Sequence, residues 1–376
     1  MTRRTLVVTN DYPPRPGGIQ AFVHELASRQ PDGEIVVYAP AWKRAAGFDA
    51  ALGYPVIRHP TSLMLPTADV ANRAADIARA DGCDTVWFGA AAPLGLLAPR
   101  LRRDANIIRT VASTHGHEVG WARTPGLRKV LRQIGNRNDL VTYLGAYTRS
   151  VLAPVLGTRP RLEQLASGVD PAVFRPGSGG EEIRARLGIG DRPVVVCVSR
   201  LVPRKGQDVL VRALPAIRAR VPDTVLLLVG GGPYRPTIER LARENDVADA
   251  VICTGSVPWE DLPAHYDAGD VFAMPCRTRG GGLDVEGLGI VFLEAAACGL
   301  PVVAGNSGGA PDALLPGETG ELVRGADVDA VGRAVAGLLE DRERAKRLGA
   351  RGREWVSEHW HWDAIAVRLR ELLHAG

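Results

Sequence analysis

Short apolar runs alternate with longer amphipathic stretches from one end of the chain to the other. In the first half the runs are Thr5–Thr9, Glu34–Ala39, Thr85–Phe88, Ile107–Ala112 and Leu140–Tyr143. In the second they are Val194–Val198, Val225–Val229, Val251–Cys253, Val271–Met274 and Val302–Ala304. Most are continuously apolar rather than alternating, as strands covered on both faces should be. Gln20–Arg29 and Thr67–Ala80 read as helices between strands, and His361–His374 sets Ile365, Leu369, Leu372 and Leu373 on one helical face. Repeated strand–helix units predict an α/β fold of doubly wound parallel sheets joined by right-handed crossovers.

The alternation breaks from Ser167 to Gly180, a stretch crowded with Gly, Ser and Pro and without clear periodicity. It reads as a linker, and it divides the chain into an N-terminal domain (1–168), a second domain (169–358) and a terminal helical segment (359–376). A length of 376 residues suits two such domains. Ligands of open α/β sheets lie at the carboxyl ends of the strands, so the cleft between the halves is the expected site.

Composition narrows the classes. Apolar residues at 45% and charged residues at 23% exclude disordered, collagenous and coiled-coil chains. A net charge of +4 excludes a dedicated nucleic-acid binder, so no nucleic-acid partner is expected. Five cysteines stand singly with no CxxC pair, which argues against a disulfide framework or zinc site and for a reducing cytosol. Thr5–Thr9 is too short for an export signal. The longest uncharged stretches, Thr85–Pro99 and Ala295–Pro311, are broken by Gly and Pro and too short to span a bilayer.

Four segments could carry chemistry. Pro13–Ile19 follows the first strand with Gly17 and Gly18, where backbone can approach an anion and a helix N-terminus can face it. It is not GxGxxG, and no acid closes the second strand, so a dinucleotide fingerprint is poorly supported. Ser113-Thr-His115-Gly-His117-Glu118 sits at a strand's carboxyl end and reads as a polar substrate contact more readily than as a metal site. Arg200, Lys205 and Arg204 follow the strand Val194–Val198, and charge-assisted donors there suit a pyrophosphate. Glu286-Gly-Leu-Gly-Ile-Val-Phe-Leu-Glu294 places one acid in a loop and another inside an apolar helix, where burial is costly without a hydrogen-bond partner such as ribose hydroxyls.

With these residues assembled, the chain resembles the retaining GT-B glycosyltransferases of family 4. Glu286 and Glu294, seven residues between them, look like the EX7E signature. Asp11-Tyr-Pro-Pro with Gly17-Gly18, Ser167-Gly-Val-Asp170 with Phe174 and Pro176, Arg200 with Lys205-Gly206, Gly230-Gly-Gly-Pro233, Ala296 to Val303 and Trp362 follow in the family's order. The resemblance implies a GT-B fold of two facing Rossmann-like domains, an N-terminal acceptor half and a C-terminal nucleotide-sugar half. Its last helix crosses back to the first domain.

By the same resemblance, Gly17 and Gly18 approach the donor phosphates and His115, rather than His117, contacts the transferred sugar. Arg200 and Lys205 neutralise the leaving diphosphate. Glu286 holds the sugar, Gly289 and Ile290 offer backbone donors, Glu294 binds the ribose, and Ser256 and Val257 lie against the base. No metal or cofactor is expected. Asp327-Val-Asp329, the only Asp-x-Asp, precedes a helical run and reads as an N-cap instead.

Between Glu118 and Asp139 there is no carboxylate, while Arg123, Arg128, Lys129, Arg132 and Arg137 supply five positive charges. Leu127, Val130, Leu131 and Ile134 recur at helical spacing, and such a helix can lie on an anionic membrane. Ser113 to Glu118, followed by Trp121 and Pro125-Gly126, looks most like the phosphatidylinositol mannosyltransferases of the PimB type. The expectation is therefore a cytoplasmic enzyme, peripheral at the inner face of the membrane, moving mannose from GDP-mannose to a phosphatidylinositol mannoside. Two alternatives stay open: another nucleotide-sugar with a soluble or polysaccharide acceptor, and an NAD-dependent oxidoreductase with paired Rossmann domains.

Overall fold

The computed structural model describes residues 3–374. They form two compact units: the described residues through Gly168 together with Trp362 onward, and Val169–His361.

The first unit holds seven strands: β1 (Thr5–Val8), β2 (Ile35–Pro40), β3 (Val56–His59), β4 (Thr85–Phe88), β5 (Arg109–Ser113), β6 (Leu140–Tyr143) and β7 (Arg161–Gln164). They pair in the order β3-β2-β1-β4-β5-β6-β7, every neighbour parallel. The second unit holds β8 (Val194–Val198), β9 (Val225–Val229), β10 (Val251–Gly255), β11 (Val271–Met274), β12 (Val302–Gly305) and β13 (Gly320–Val323), in the order β10-β9-β8-β11-β12-β13 and again parallel. Each sheet starts in its middle and reverses direction once, at β1/β4 and at β8/β11. A crevice opens at such a switch point, because the loops there diverge to opposite faces.

Three strands lack a signal in the hydrophobic pattern: β3, β7 and β13. All lie at sheet edges. Their sequences, VIRH, RLEQ and GELV, are only partly buried, so polar residues cost them little. The strand expected over Ile107–Ala112 instead begins at Arg109 and ends at Ser113, and Ile108 is exposed.

The Gly/Ser/Pro-rich stretch after Ser167 is not a loose tether. Phe174 is buried in the second unit, edge-on to Tyr266 and Trp259 at centroid distances of 5.8 and 5.9 Å. Arg353 donates to the carbonyls of Pro171 and Phe174, each at 3.1 Å. Irregular backbone that is covered needs such partners; Ser178 also donates to the Arg175 carbonyl at 2.7 Å, and Asp267 accepts from the N–H groups of Gly177 and Gly180, each at 2.8 Å. The composition reported irregular backbone and not mobility.

The helix Trp362–His374 buries Trp362, Ile365, Ala366, Leu369, Leu372 and Leu373 in the same cluster as Val7, Val37, Trp87 and Val111 of the first sheet. Arg109 donates to the carbonyl of Leu372 at 2.7 Å, a side-chain partner for a last-turn acceptor. The first unit's core is thus completed by the other end of the chain.

Candidate active site

In the first unit the loops after β1, β4 and β5 meet at the switch point. Gly89, just after β4, has no room for a side chain: a Cβ there would lie 2.9 Å from a Val23 methyl and 3.0 Å from Thr9. The chain therefore passes close enough for the Gly89 carbonyl to accept from His115 Nε2 at 2.6 Å. A carbonyl can only accept, so Nε2 carries the proton and Nδ1 is left as an acceptor. Burial lowers the pKa of His115 and keeps it neutral. The ring sits edge-on to Phe22 of the helix Gly18–Ser28 at 4.9 Å, and its backbone N–H donates to Glu118 Oε2 at 2.9 Å. Glu118 is buried, with His117 Nε2 3.3 Å from its other oxygen. His117 is exposed, while His115 is held in the crevice by Gly89 and Phe22.

Gly17 and Gly18 open that same helix. A Cβ on Gly17 would lie 2.1 Å from the Gln20 side chain, which in turn donates to Asp11 at 2.8 Å. Gly18 has open space around it. The glycine turn thus leaves the helix N-terminus bare, with its first N–H groups available to an anion.

In the second unit a pocket of about 560 Å³ lies at the carboxyl ends of β8, β9 and β10. It is lined by Arg200, Gly230, Gly231, Gly232, Ser256 and Val257 among others. Arg200 is exposed there and makes no ion pair among the described residues. Beside it, Gly206 has a φ of 81° and leads into the helix Gln207–Arg220. A Cβ on it would lie 2.1 Å from the Pro275 carbonyl. This packing fixes where Lys205, its neighbour, departs from the backbone.

Lys205 Nζ lies 2.6 Å from Glu286 Oε2, and Arg204 Nη1 lies 2.8 Å from the same oxygen. Gly289 has a φ of 85° and caps the helix Ile290–Ala297, whose N-terminus points free N–H groups out of the loop. Glu294 lies within that helix and is buried, and burial raises its pKa to about 7. Tyr266 donates to its Oε2 at 2.6 Å. Burial and the adjoining Glu294 also push the Tyr266 hydroxyl upward, so it stays a donor.

The structure therefore brings Arg200, Ser256 and Val257 together around one pocket, and Lys205 with Glu286 in one ion-pair cluster. Sequence reasoning counted Arg204 only among the cations suited to a pyrophosphate and did not foresee its contact with Glu286, and it missed Tyr266 and Gly89. The two partners close contacts from other elements, and nothing in their local sequence marks them. Asp327 caps the helix Val328–Glu340 by accepting from Ala330 N–H at 2.9 Å.

The basic segment divides into the helices Glu118–Arg123 and Pro125–Arg137. Arg123, Arg128, Lys129 and Arg132 are exposed. The apolar stripe, however, faces inward: Leu131 and Ile134 are fully buried and Val130 is partly so, leaving Leu127 exposed at 37%. This helix offers a membrane its charge far more than an apolar face. Large apolar side chains project elsewhere in the unit, at Trp42, Leu63 and Leu65. Met64 between the two leucines is buried, its backbone held by Asn10 through bonds of 2.7 and 2.9 Å. Among the described residues no helix is long and apolar enough to cross a membrane.

Two doubly wound parallel units, one with a neutral histidine at its switch point and one with a cationic pocket and a Glu-x7-Glu loop–helix, define the GT-B class of nucleotide-sugar-dependent transferases. Comparison with known proteins gives the same class. Residues 16–173 match the model described as Glycosyltransferase Family 4, and residues 180–355 match Glycosyl transferases group 1. The chain belongs to this family of glycosyltransferases.

It is 56% identical to the GDP-mannose-dependent alpha-(1-6)-phosphatidylinositol monomannoside mannosyltransferase of Mycolicibacterium smegmatis, over 98% of this chain and 97% of that protein. It is 47% identical to the GDP-mannose-dependent monoacylated alpha-(1-6)-phosphatidylinositol monomannoside mannosyltransferase of Corynebacterium glutamicum, over 100% of this chain and 98% of that one. Among solved structures, Anabaena HepE in complex with UDP superposes with a TM-score of 0.83 at 20% identity, covering 99% of this chain and 100% of that one. At that identity the likeness concerns the fold.

Proposed function

We propose that this protein is a retaining mannosyltransferase that moves mannose from GDP-mannose to a phosphatidylinositol mannoside at the membrane surface. The observation that carries the proposal is whole-length identity of 47–56% to relatives bearing that activity. The site chemistry fits it. Cleaving the bond from the sugar's anomeric carbon to diphosphate oxygen places growing negative charge on the departing GDP. Arg200, Lys205 and the N-terminus of the helix Ile290–Ala297, with Gly289 and Ile290 as backbone donors, would stabilise that charge without a metal. Gly17 and Gly18 offer the same from the first unit.

Glu286 would hold the mannose hydroxyls. His115, neutral and with Nδ1 as acceptor, would take a hydrogen bond from the transferred sugar. Glu294 would bind the ribose hydroxyls, and Ser256 and Val257 would flank the base. Arg123, Arg128, Lys129 and Arg132 would draw the enzyme to anionic lipid on the cytoplasmic face.

The experiment is a thermal-shift panel of GDP-, UDP- and ADP-sugars followed by transfer of labelled mannose to purified phosphatidylinositol monomannoside. Stabilisation by GDP-mannose and a labelled dimannoside lipid are expected. Preference for another nucleotide-sugar, or transfer only to a soluble acceptor, would refute the specificity. Stabilisation by NAD alone would refute the class.

A further inference from the structure

Gly280, Gly281 and Gly282 follow one another at φ of 55°, 62° and 92°. Only glycine adopts such a run without strain. The turn they make brings the chain back on itself: Arg279 N–H donates to the Asp284 carbonyl at 2.9 Å, and Asp284 N–H returns a bond to Arg279 at 3.2 Å. The tip has no apolar anchor, since Leu283 is 59% exposed. What the turn delivers is Asp284, whose Oδ1 lies 3.0 Å from Arg204 Nε.

Arg204 thus has two carboxylate neighbours, Glu286, to which its Nη1 donates at 2.8 Å, and Asp284, which forms an ion pair with it at Nε. Glu286 itself is fixed at its backbone, where its carbonyl accepts from Gly309 N–H at 2.8 Å. Its carboxylate is left to be aimed by Arg204 and Lys205. Lys205 is a point charge on a flexible stem and sets a distance, whereas the planar Arg204 guanidinium, hydrogen-bonded to Glu286 and held in place by the neighbouring Asp284 charge, also sets a direction. Without Asp284, Arg204 would rest on one oxygen that it shares with Lys205.

We infer that Asp284 is a positioning residue that acts through Arg204 to aim the Glu286 carboxylate, and that the triple-glycine turn exists to return Asp284 to that place. The inference rests on the mannosyltransferase proposal only for its kinetic readout.

The experiment is a double-mutant cycle of Asp284→Asn and Arg204→Gln, with Asp284→Glu and Leu283→Ser as companions. Asp284→Asn is expected to lower kcat/KM for GDP-mannose about tenfold, while Asp284→Glu, which keeps the charge, loses less than about threefold. In the Arg204→Gln background Asp284→Asn should cost no more than about a further twofold, because the partner through which it acts is gone. Leu283→Ser should leave the rate unchanged. Phenylglyoxal modification of Arg204, read by peptide mass spectrometry, is expected to run about threefold faster in Asp284→Asn than in wild type, since a guanidinium released from that ion pair is more accessible. This second readout needs no substrate, so a wild-type enzyme inactive with GDP-mannose would refute the donor while leaving the positioning role decided by arginine chemistry. Equal modification rates in wild type and Asp284→Asn, or kinetic losses that add in the double variant, overturn the assignment.

Discussion

Glu294 shows how burial turns one side chain into a pH-dependent element. Its pKa stands near 7 because the carboxyl lies inside a helix packed on the sheet. The folded state holds that proton more tightly than the unfolded chain does. The stability it contributes is therefore full below the ordinary carboxylate range, declines as pH rises, and is lost above about 7, by roughly 3 kcal/mol at most. Glu294→Gln keeps an acceptor for Tyr266 and removes the titration. Urea denaturation at pH 5 and pH 8 should show a smaller decline in this variant than in wild type. An equal decline would mean that the carboxyl is ionised throughout. Gly206 is decided by space: a Cβ would sit 2.1 Å from the Pro275 carbonyl at a φ of 81°. Gly206→Ala should destabilise the second unit by about 2–4 kcal/mol and weaken GDP binding through Lys205, read by denaturation midpoint and calorimetry.

At the scale of the element, the helix Pro125–Arg137 separates two roles that the sequence shows superposed. Its cations are on the surface and its leucine–isoleucine stripe is in the core. Replacing Arg128, Lys129 and Arg132 together by Gln should leave thermal stability unchanged and lower binding to anionic vesicles by about 1 kcal/mol per cation, measured by co-sedimentation. Leu131→Ala should do the opposite, costing about 2–4 kcal/mol of stability with little effect on vesicle binding by the folded protein. The periodicity of Leu127, Val130, Leu131 and Ile134 was legible in the sequence. Its direction was not, because a stripe that faces a core and one that faces a bilayer have the same spacing.

For the whole molecule, the terminal helix makes the first unit discontinuous in sequence. Leu369 is fully buried among residues of the first sheet although more than 200 positions separate it from Val111. Leu369→Asp should expose the first unit to protease while fragments from Val169–His361 stay resistant, and mass spectrometry of limited digests would check it. Cleavage spread evenly over both units would contradict independent cores. The proposed chemistry also predicts that saturating chelator leaves mannose transfer intact, since cations and helix N-termini serve the diphosphate; loss of transfer would require a metal.

The sequence by itself determined the class of fold, the strands at the centre of both sheets and the family. Central strands must be apolar throughout, and loops that admit phosphate must carry glycine, so both leave marks in local composition. The family resemblance also nominated Arg200, Lys205, Glu286 and Glu294 for one candidate site, and of these the structure joins Lys205 to Glu286. Only the tertiary structure decided who meets whom. Edge strands such as Arg161–Gln164 have one flank in solvent and so no apolar signature. Tyr266 lies 28 residues from Glu294, Asp284 some 80 from Arg204, and Gly89 26 from His115. Such contacts are made by crossovers that return distant loops to one end of a sheet, and no local pattern encodes that return.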